Sequence, residues 1–142
     1  MSRTTEQNAR RMIENLNARN VEKVLAQYAD DATFQFPGMD APLRGKDAIR
    51  AFFKGSYEAF PDWRIQVSKV IISGGETIVV NSLHGTHTGP MFGKDGGVVA
   101  PTNRKFSQDQ LTRVIFNNQD LVQSLRAYGD PLDVTRQLGI SS

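Results

Sequence analysis

Apolar positions recur with a helical period up to about residue 60 and with a strand period beyond it, and that change of period sets the expected fold. From Thr4 the chain reads as a helix, with Thr4 and Gln7 at capping-box spacing and Ala9, Met12, Ile13 and Leu16 forming one apolar stripe. Asn20 is the expected cap of a second, short helix, in which Val21, Val24, Leu25 and Tyr28 repeat the spacing until Asp30 and Asp31 interrupt it. A short strand, Thr33 to Phe36, ends at Pro37-Gly38. The turn from Pro42 to Gly45 leads into a third helix, whose stripe of Ile49, Phe52, Phe53, Tyr57 and Phe60 stops at Pro61. Trp63, Ile65 and Val67 then alternate with Arg64, Gln66 and Ser68. Ser73 to Glu76 is a turn, Thr77 to Thr88 a second long strand, and Gly89 to Pro101 a loop broken by its glycines and prolines. Lys105 to Phe116 and Leu121 to Tyr128 read as a hairpin, and Asp130-Pro131 as the cap and first residue of a short C-terminal helix. Helices first and long antiparallel strands afterwards predict an α+β fold, three N-terminal helices packed on one face of a curved antiparallel sheet.

Composition narrows the class. The 142 residues suit a single domain spanning 1–142, with 39% hydrophobic and 23% charged residues. No stretch approaches the roughly 20 apolar residues of a membrane span, and the N-terminus lacks the apolar core of a signal peptide, so a cytoplasmic protein without membrane association is expected. The absence of cysteine removes thiolate chemistry. A net charge of +2 with scattered basic residues argues against a nucleic-acid partner.

Misplaced polarity is the signal for a site, because a buried unpaired polar group costs roughly 1–3 kcal/mol. Ser107-Gln108-Asp109-Gln110 is an unbroken polar run in a strand whose later half is apolar, so whichever face points inward carries polar groups. That end of the strand lines a cavity or projects into solvent. His84 and His87, three residues apart in a strand, face opposite sides and cannot share a metal without a bulge. His87, flanked by Gly85 and Gly89, is the better candidate, against the plainer reading of a hydrogen-bonded structural histidine. Gly93, Gly96 and Gly97 have no phosphate-loop context and read as a flap. Asp130 serves as a helix cap or, alternatively, in a pocket.

Four motifs, in order, carry a family likeness: Phe60-Pro61-Asp62-Trp63, Gly85-Thr86-His87-Thr88-Gly89, Pro101-Thr102-Asn103-Arg104-Lys105-Phe106 and the closing Gln137-Leu138-Gly139. Together they resemble the SnoaL-like polyketide cyclase family. The resemblance implies the cystatin-like cone also found in nuclear transport factor 2, limonene epoxide hydrolase and ketosteroid isomerase, often a homodimer through the outer sheet face, with an apolar ligand between helices and sheet. Such cyclases close a polyketide ring by an aldol reaction without metal or cofactor, using an aspartate on the last strand and a histidine on the preceding one. Here Ala127 falls at the aspartate's place and Thr112 or Arg113 at the histidine's.

If Ala127 and Thr112 face the cavity, so by parity do Gln123 and Leu125, and Gln108, Gln110 and Val114. His87, Gln108 and Gln110 are then the expected hydrogen-bond donors to a substrate carbonyl, and Asp109 joins as a catalytic residue only through a bulge. The expected pocket wall is Tyr28, Phe36, Phe53, Tyr57, Trp63, Gln108, Thr112 and Ala127, although an aromatic helix stripe equally suits a plain core. The functional expectation is a cofactor-free enzyme of secondary metabolism, such as antibiotic biosynthesis, that cyclises or rearranges an apolar polyketide-like substrate. A hydroxylase or isomerase on the same scaffold, or a non-catalytic binder of a hydrophobic ligand, is the alternative.

Overall fold

The computed structural model of the chain describes residues 2–92 and 96–140. Helix α1 (Ser2–Asn17) places Ala9, Met12, Ile13 and Leu16 in the core, as its stripe predicts, and starts ahead of Thr4. Asn20 caps α2 (Val21–Ala26) by accepting from the Lys23 amide at 3.2 Å. The helix ends two residues before Tyr28. There the Val122 amide donates to the Gln27 carbonyl and pulls the chain alongside the last strand, so Tyr28 opens strand β1 (Tyr28–Gln35), and Asp30-Asp31 lie within it. Aspartates tolerate that position because their side chains face solvent.

After β2 (Leu43–Arg44), helix α3 (Lys46–Ala59) buries Ile49 and Phe53. Strands β3 (Arg64–Ser73) and β4 (Glu76–Thr86) follow as a hairpin. The expected loop 89–101 contains a small ladder of its own, β5 (Met91–Phe92) with β6 (Val98–Val99); the expected flap residue Gly93 lies outside the described residues. Gly89 lies so close to the end of α3 that a Cβ would sit 1.8 Å from the Glu58 carbonyl oxygen. Strands β7 (Lys105–Phe116) and β8 (Val122–Tyr128) form the expected hairpin. The last helix, α4 (Asp133–Leu138), begins later than Asp130-Pro131 suggests: Asp130 accepts from the Leu132 amide at 2.9 Å and shapes the turn before the helix.

The main sheet has the order β2-β1-β8-β7-β4-β3, with α1 against β3 and β4 and α3 against β1. It is mixed, not wholly antiparallel, since β1 runs parallel to β8. That pairing between the first and last long strands has no local sequence signature. Along β4 and β7 burial alternates strictly. Thr77, Val79, Asn81, Leu83 and Gly85 point inward with Phe106, Gln108, Gln110, Thr112 and Val114, while the intervening residues face out. No helix among the described residues is long and apolar enough to cross a membrane.

Candidate functional site

Five inward positions of the central strands hold polar side chains where a covered sheet is expected to be apolar: Thr77, Asn81, Gln108, Gln110 and Thr112, all buried. Four of them form one chain. The Thr112 hydroxyl donates to Asn81 Oδ1 (2.8 Å), Asn81 Nδ2 to Gln110 Oε1 (3.2 Å), Gln110 Nε2 to Gln108 Oε1 (3.0 Å), and Gln108 Nε2 to the Asp130 backbone carbonyl (2.8 Å). The register makes this possible, because Asn81 lies directly across from Gln110, and Gln108 and Thr112 flank Gln110 on the same face. Each amide nitrogen has a second N–H beyond the one used in the chain.

Thr112 and Ala127 are direct cross-strand partners, both inward and both buried. Of the two alternatives, then, Thr112 takes the inner position; Arg113 faces out and pairs with Glu76. Leu125 is inward, but Gln123 is not. A register slip beside Ile115 and Phe116 breaks the alternation, and the Gln123 amide donates instead to Asp31 at 3.0 Å. Asp109 is exposed on the opposite face of β7, in a shallow cleft of about 690 Å³ lined also by Val80, Leu111 and Tyr128. No bulge turns it inward, so its carboxyl and the buried Gln110 amide face opposite sides of the strand.

The aromatic residues divide. Phe34, Phe36, Phe52 and Phe53 cluster with centroids 5.0–5.8 Å apart, Phe34 and Phe53 fully buried and Phe36 and Phe52 partly so. Tyr57 and Trp63 meet edge to face at 5.5 Å, and the Tyr57 hydroxyl donates to the Leu16 carbonyl at 2.7 Å. Tyr28 is fully buried and its hydroxyl has no partner among the described residues. Burial, with Tyr57 as a lesser contributor, lifts its pKa well above the usual tyrosine value.

His87 is inward and fully buried, and His84 outward, as the spacing predicts. The Thr102 amide donates to His87 Nδ1 at 3.2 Å, which leaves the ring proton on Nε2, and that atom has no partner among the described residues. Burial pushes the imidazole pKa down. His87 packs on Phe60, and its backbone pairs with Asn103 and Arg104. It lies six residues beyond Asn81 on one extended strand, roughly 20 Å away. His87 and Gln110 therefore cannot act on one substrate atom, and His87 serves as an anchor for the 102–104 segment. Asp130 is exposed, its carboxyl held below the usual range first by the Leu132 amide and then by Arg136.

Asn81 is the member the sequence reading missed. Its signal was present as the one amide among the alternate apolar positions Val79 and Leu83. Among the described residues no Asp or Glu is buried, and no group of three or more His, Cys, Asp or Glu is placed to hold a metal ion.

Helices on one face of this mixed sheet, with the first long strand parallel to the last, define an NTF2-like, ketosteroid isomerase-like α+β fold. The family model described as a SnoaL-like domain matches residues 9–123, and the chain belongs to that family. Among solved structures it is similar to a provisionally named SnoaL-like polyketide cyclase from Jannaschia sp. CCS1 (18% identity, TM-score 0.82, 97% of this chain and 93% of that one). It also resembles AclR of Streptomyces galilaeus, provisionally named a hydroxylase (15% identity, TM-score 0.81, 100% and 89%), and IdmH of Streptomyces antibioticus, provisionally named a polyketide cyclase (22% identity, TM-score 0.74, 96% and 99%). No curated protein sequence matches the chain.

Proposed function

We propose that this protein is a cofactor-free enzyme of secondary metabolism that holds a small, largely apolar polyketide-like substrate against the inner sheet face and cyclises or rearranges it. The observation that carries this reading is the continuous polar chain Thr112–Asn81–Gln110–Gln108 in a covered sheet. The second N–H groups of Gln110 and Asn81 are suited to polarise a substrate carbonyl and stabilise an enolate, a contribution typically worth about 10²- to 10³-fold in rate. With Ala127 at the position where the family's aspartate is expected, this hydrogen-bond activation takes the place of an ionised base. Phe36, Phe52 and Phe53 supply the apolar wall.

The test is turnover of an aromatic polyketide ester bearing an enolisable 1,3-dicarbonyl, followed by absorbance. Gln110→Ala is expected to lower kcat by about 10²-fold. Turnover indifferent to Gln110→Ala and Asn81→Ala alike would remove the chain from catalysis. The second reading, a binder that holds a hydrophobic ligand without converting it, is favoured by the lack of any buried carboxylate among the described residues. Saturable binding with no turnover would select it. Hydroxylase chemistry has fold likeness to AclR as its support. The outer sheet face, where Ile71, Leu111 and Tyr128 are 40%, 51% and 45% exposed, is the proposed contact with a second copy.

A further inference from the structure

We propose that the buried chain makes the Thr112–Ala127 position selective for a hydrogen-bond donor, so that the substrate presents an enol or phenol hydroxyl there and not a carbonyl or ether. This deepens the reading above and rests on its placement of the ligand on the inner sheet face. The argument starts from one atom. A backbone carbonyl can only accept, so the Asp130 oxygen obliges Gln108 to turn its amide nitrogen toward it. Gln108 Oε1 must then face Gln110, which answers with its nitrogen; Gln110 Oε1 faces Asn81, which does the same. Asn81 is left with Oδ1 toward Thr112, and the single Thr112 hydroxyl hydrogen is committed to it. The direction of all four bonds follows from the chemistry of the Asp130 carbonyl and holds whichever way each amide is drawn.

The starting atom is well fixed. The Asp130 carbonyl also accepts from the Asp133 amide (3.2 Å), and its carboxylate holds the Leu132 amide and Arg136. Gly129 next to it lets the chain pass close to this amide, since a Cβ would press on it at 3.2 Å from Gln108 Cδ and 3.3 Å from Nε2. At the other end, Thr112 Oγ1 keeps lone pairs and no hydrogen to offer, and across from it Ala127 contributes only a methyl. A ketone or ether oxygen placed there would face oxygen. Turning the hydroxyl to meet it would strip Asn81 Oδ1 of its donor inside the core.

The probes are 1-naphthol and 1-methoxynaphthalene, titrated calorimetrically into the full-length protein, with Thr112→Ser, Thr112→Val and Gln110→Met as variants and thermal denaturation to verify folding. The wild type and Thr112→Ser are expected to bind the naphthol roughly 3- to 10-fold more tightly than the ether, the range of one neutral hydrogen bond. Thr112→Val should erase the preference. Gln110→Met keeps Thr112 but cuts the chain, releases the Asn81 amide to rotate, and should shrink the preference as well. Equal binding of the two probes by the wild type, or a preference that survives Thr112→Val, would overturn the inference while leaving the enzyme reading intact. Binding of neither probe would overturn the placement of the ligand, and the inference with it.

Discussion

Replacing Tyr28 by Phe should make the protein more stable and, on the proposed placement of the ligand, weaken its hold on 1-naphthol. The Tyr28 ring is fully buried at the start of β1, and its hydroxyl is one of two buried side-chain polar atoms without a partner among the described residues. An unsatisfied buried hydroxyl costs roughly 1–3 kcal/mol, and removing one oxygen from a packed ring leaves only a small void, so a net gain of about 1–2 kcal/mol is expected. For a chain of this length that is a rise in Tm of roughly 3–8 °C. The proposed ligand site would account for a hydroxyl that weakens the fold. Differential scanning calorimetry of the two proteins measures the first half, and the affinity ratio for 1-naphthol the second. A Tyr28→Phe protein less stable than the wild type by more than about 0.5 kcal/mol would refute the reasoning, because it would mean that the hydroxyl is satisfied in the folded state.

Four further outcomes test the fold, the site and the proposed outer-face contact. Gly89→Ala places a Cβ 1.8 Å from the Glu58 carbonyl oxygen and 2.8 Å from its carbon, so urea denaturation should show a loss of at least about 3 kcal/mol. Asn81→Leu strands the Thr112 hydroxyl and Gln110 Oε1, and in a cycle with Thr112→Val the double variant should be less destabilised than the sum by about 1 kcal/mol or more; additivity within about 0.5 kcal/mol would deny the coupling. Burial lifts the pKa of Tyr28, and lifts that of Tyr57 to about 12, whereas tyrosines of the unfolded chain titrate near 10. The unfolded state thus loses protons first, and stability that is constant below about pH 10 should fall as pH rises from there toward 12, less steeply in Tyr28→Phe. Leu111→Arg should abolish the proposed outer-face dimer in light scattering without changing monomer stability by more than about 0.5 kcal/mol.

The helices and long strands were legible because their patterns are local. Ala9, Met12, Ile13 and Leu16 announce α1 by spacing alone, and the alternation through Lys105–Phe116 gives β7 its bounds and its inward residues. What escaped was set by partners distant in sequence. Tyr28 fits the α2 stripe, yet pairing with β8, almost a hundred residues on, decides its conformation. Gln123 left the inner face through a slip that no residue type advertises. His87 stood out as a rare residue between glycines, but the distance along β4 that separates it from Gln110 follows from register, which the sequence shows only after the hairpins are aligned. Asn81 is visible by parity, but one amide between Val79 and Leu83 is a weaker signal than the unbroken polar run Ser107 to Gln110 on the neighbouring strand.

The chain of amides also accounts for how the proposed ligand site could lack an ionisable base and still be directional. A buried carboxylate would need a charged partner or a raised pKa to survive among Val79, Val114 and Leu125, whereas neutral amides satisfy one another at little cost once every member is paired. The fold supplies the missing asymmetry from outside the sheet. The turn at Gly129-Asp130, built to start α4, presents a carbonyl at one end of the row, and that single acceptor orients four side chains across β7 and β4 to Thr112. A local turn near the C-terminus thereby sets the hydrogen-bond sense of the middle of the sheet. The same dependence ties the sense of the chain, and with it the proposed donor preference, to the packing of α4, because a helix shifted enough to move the Asp130 carbonyl would free Gln108 to flip and, one bond after another, release the Thr112 hydroxyl.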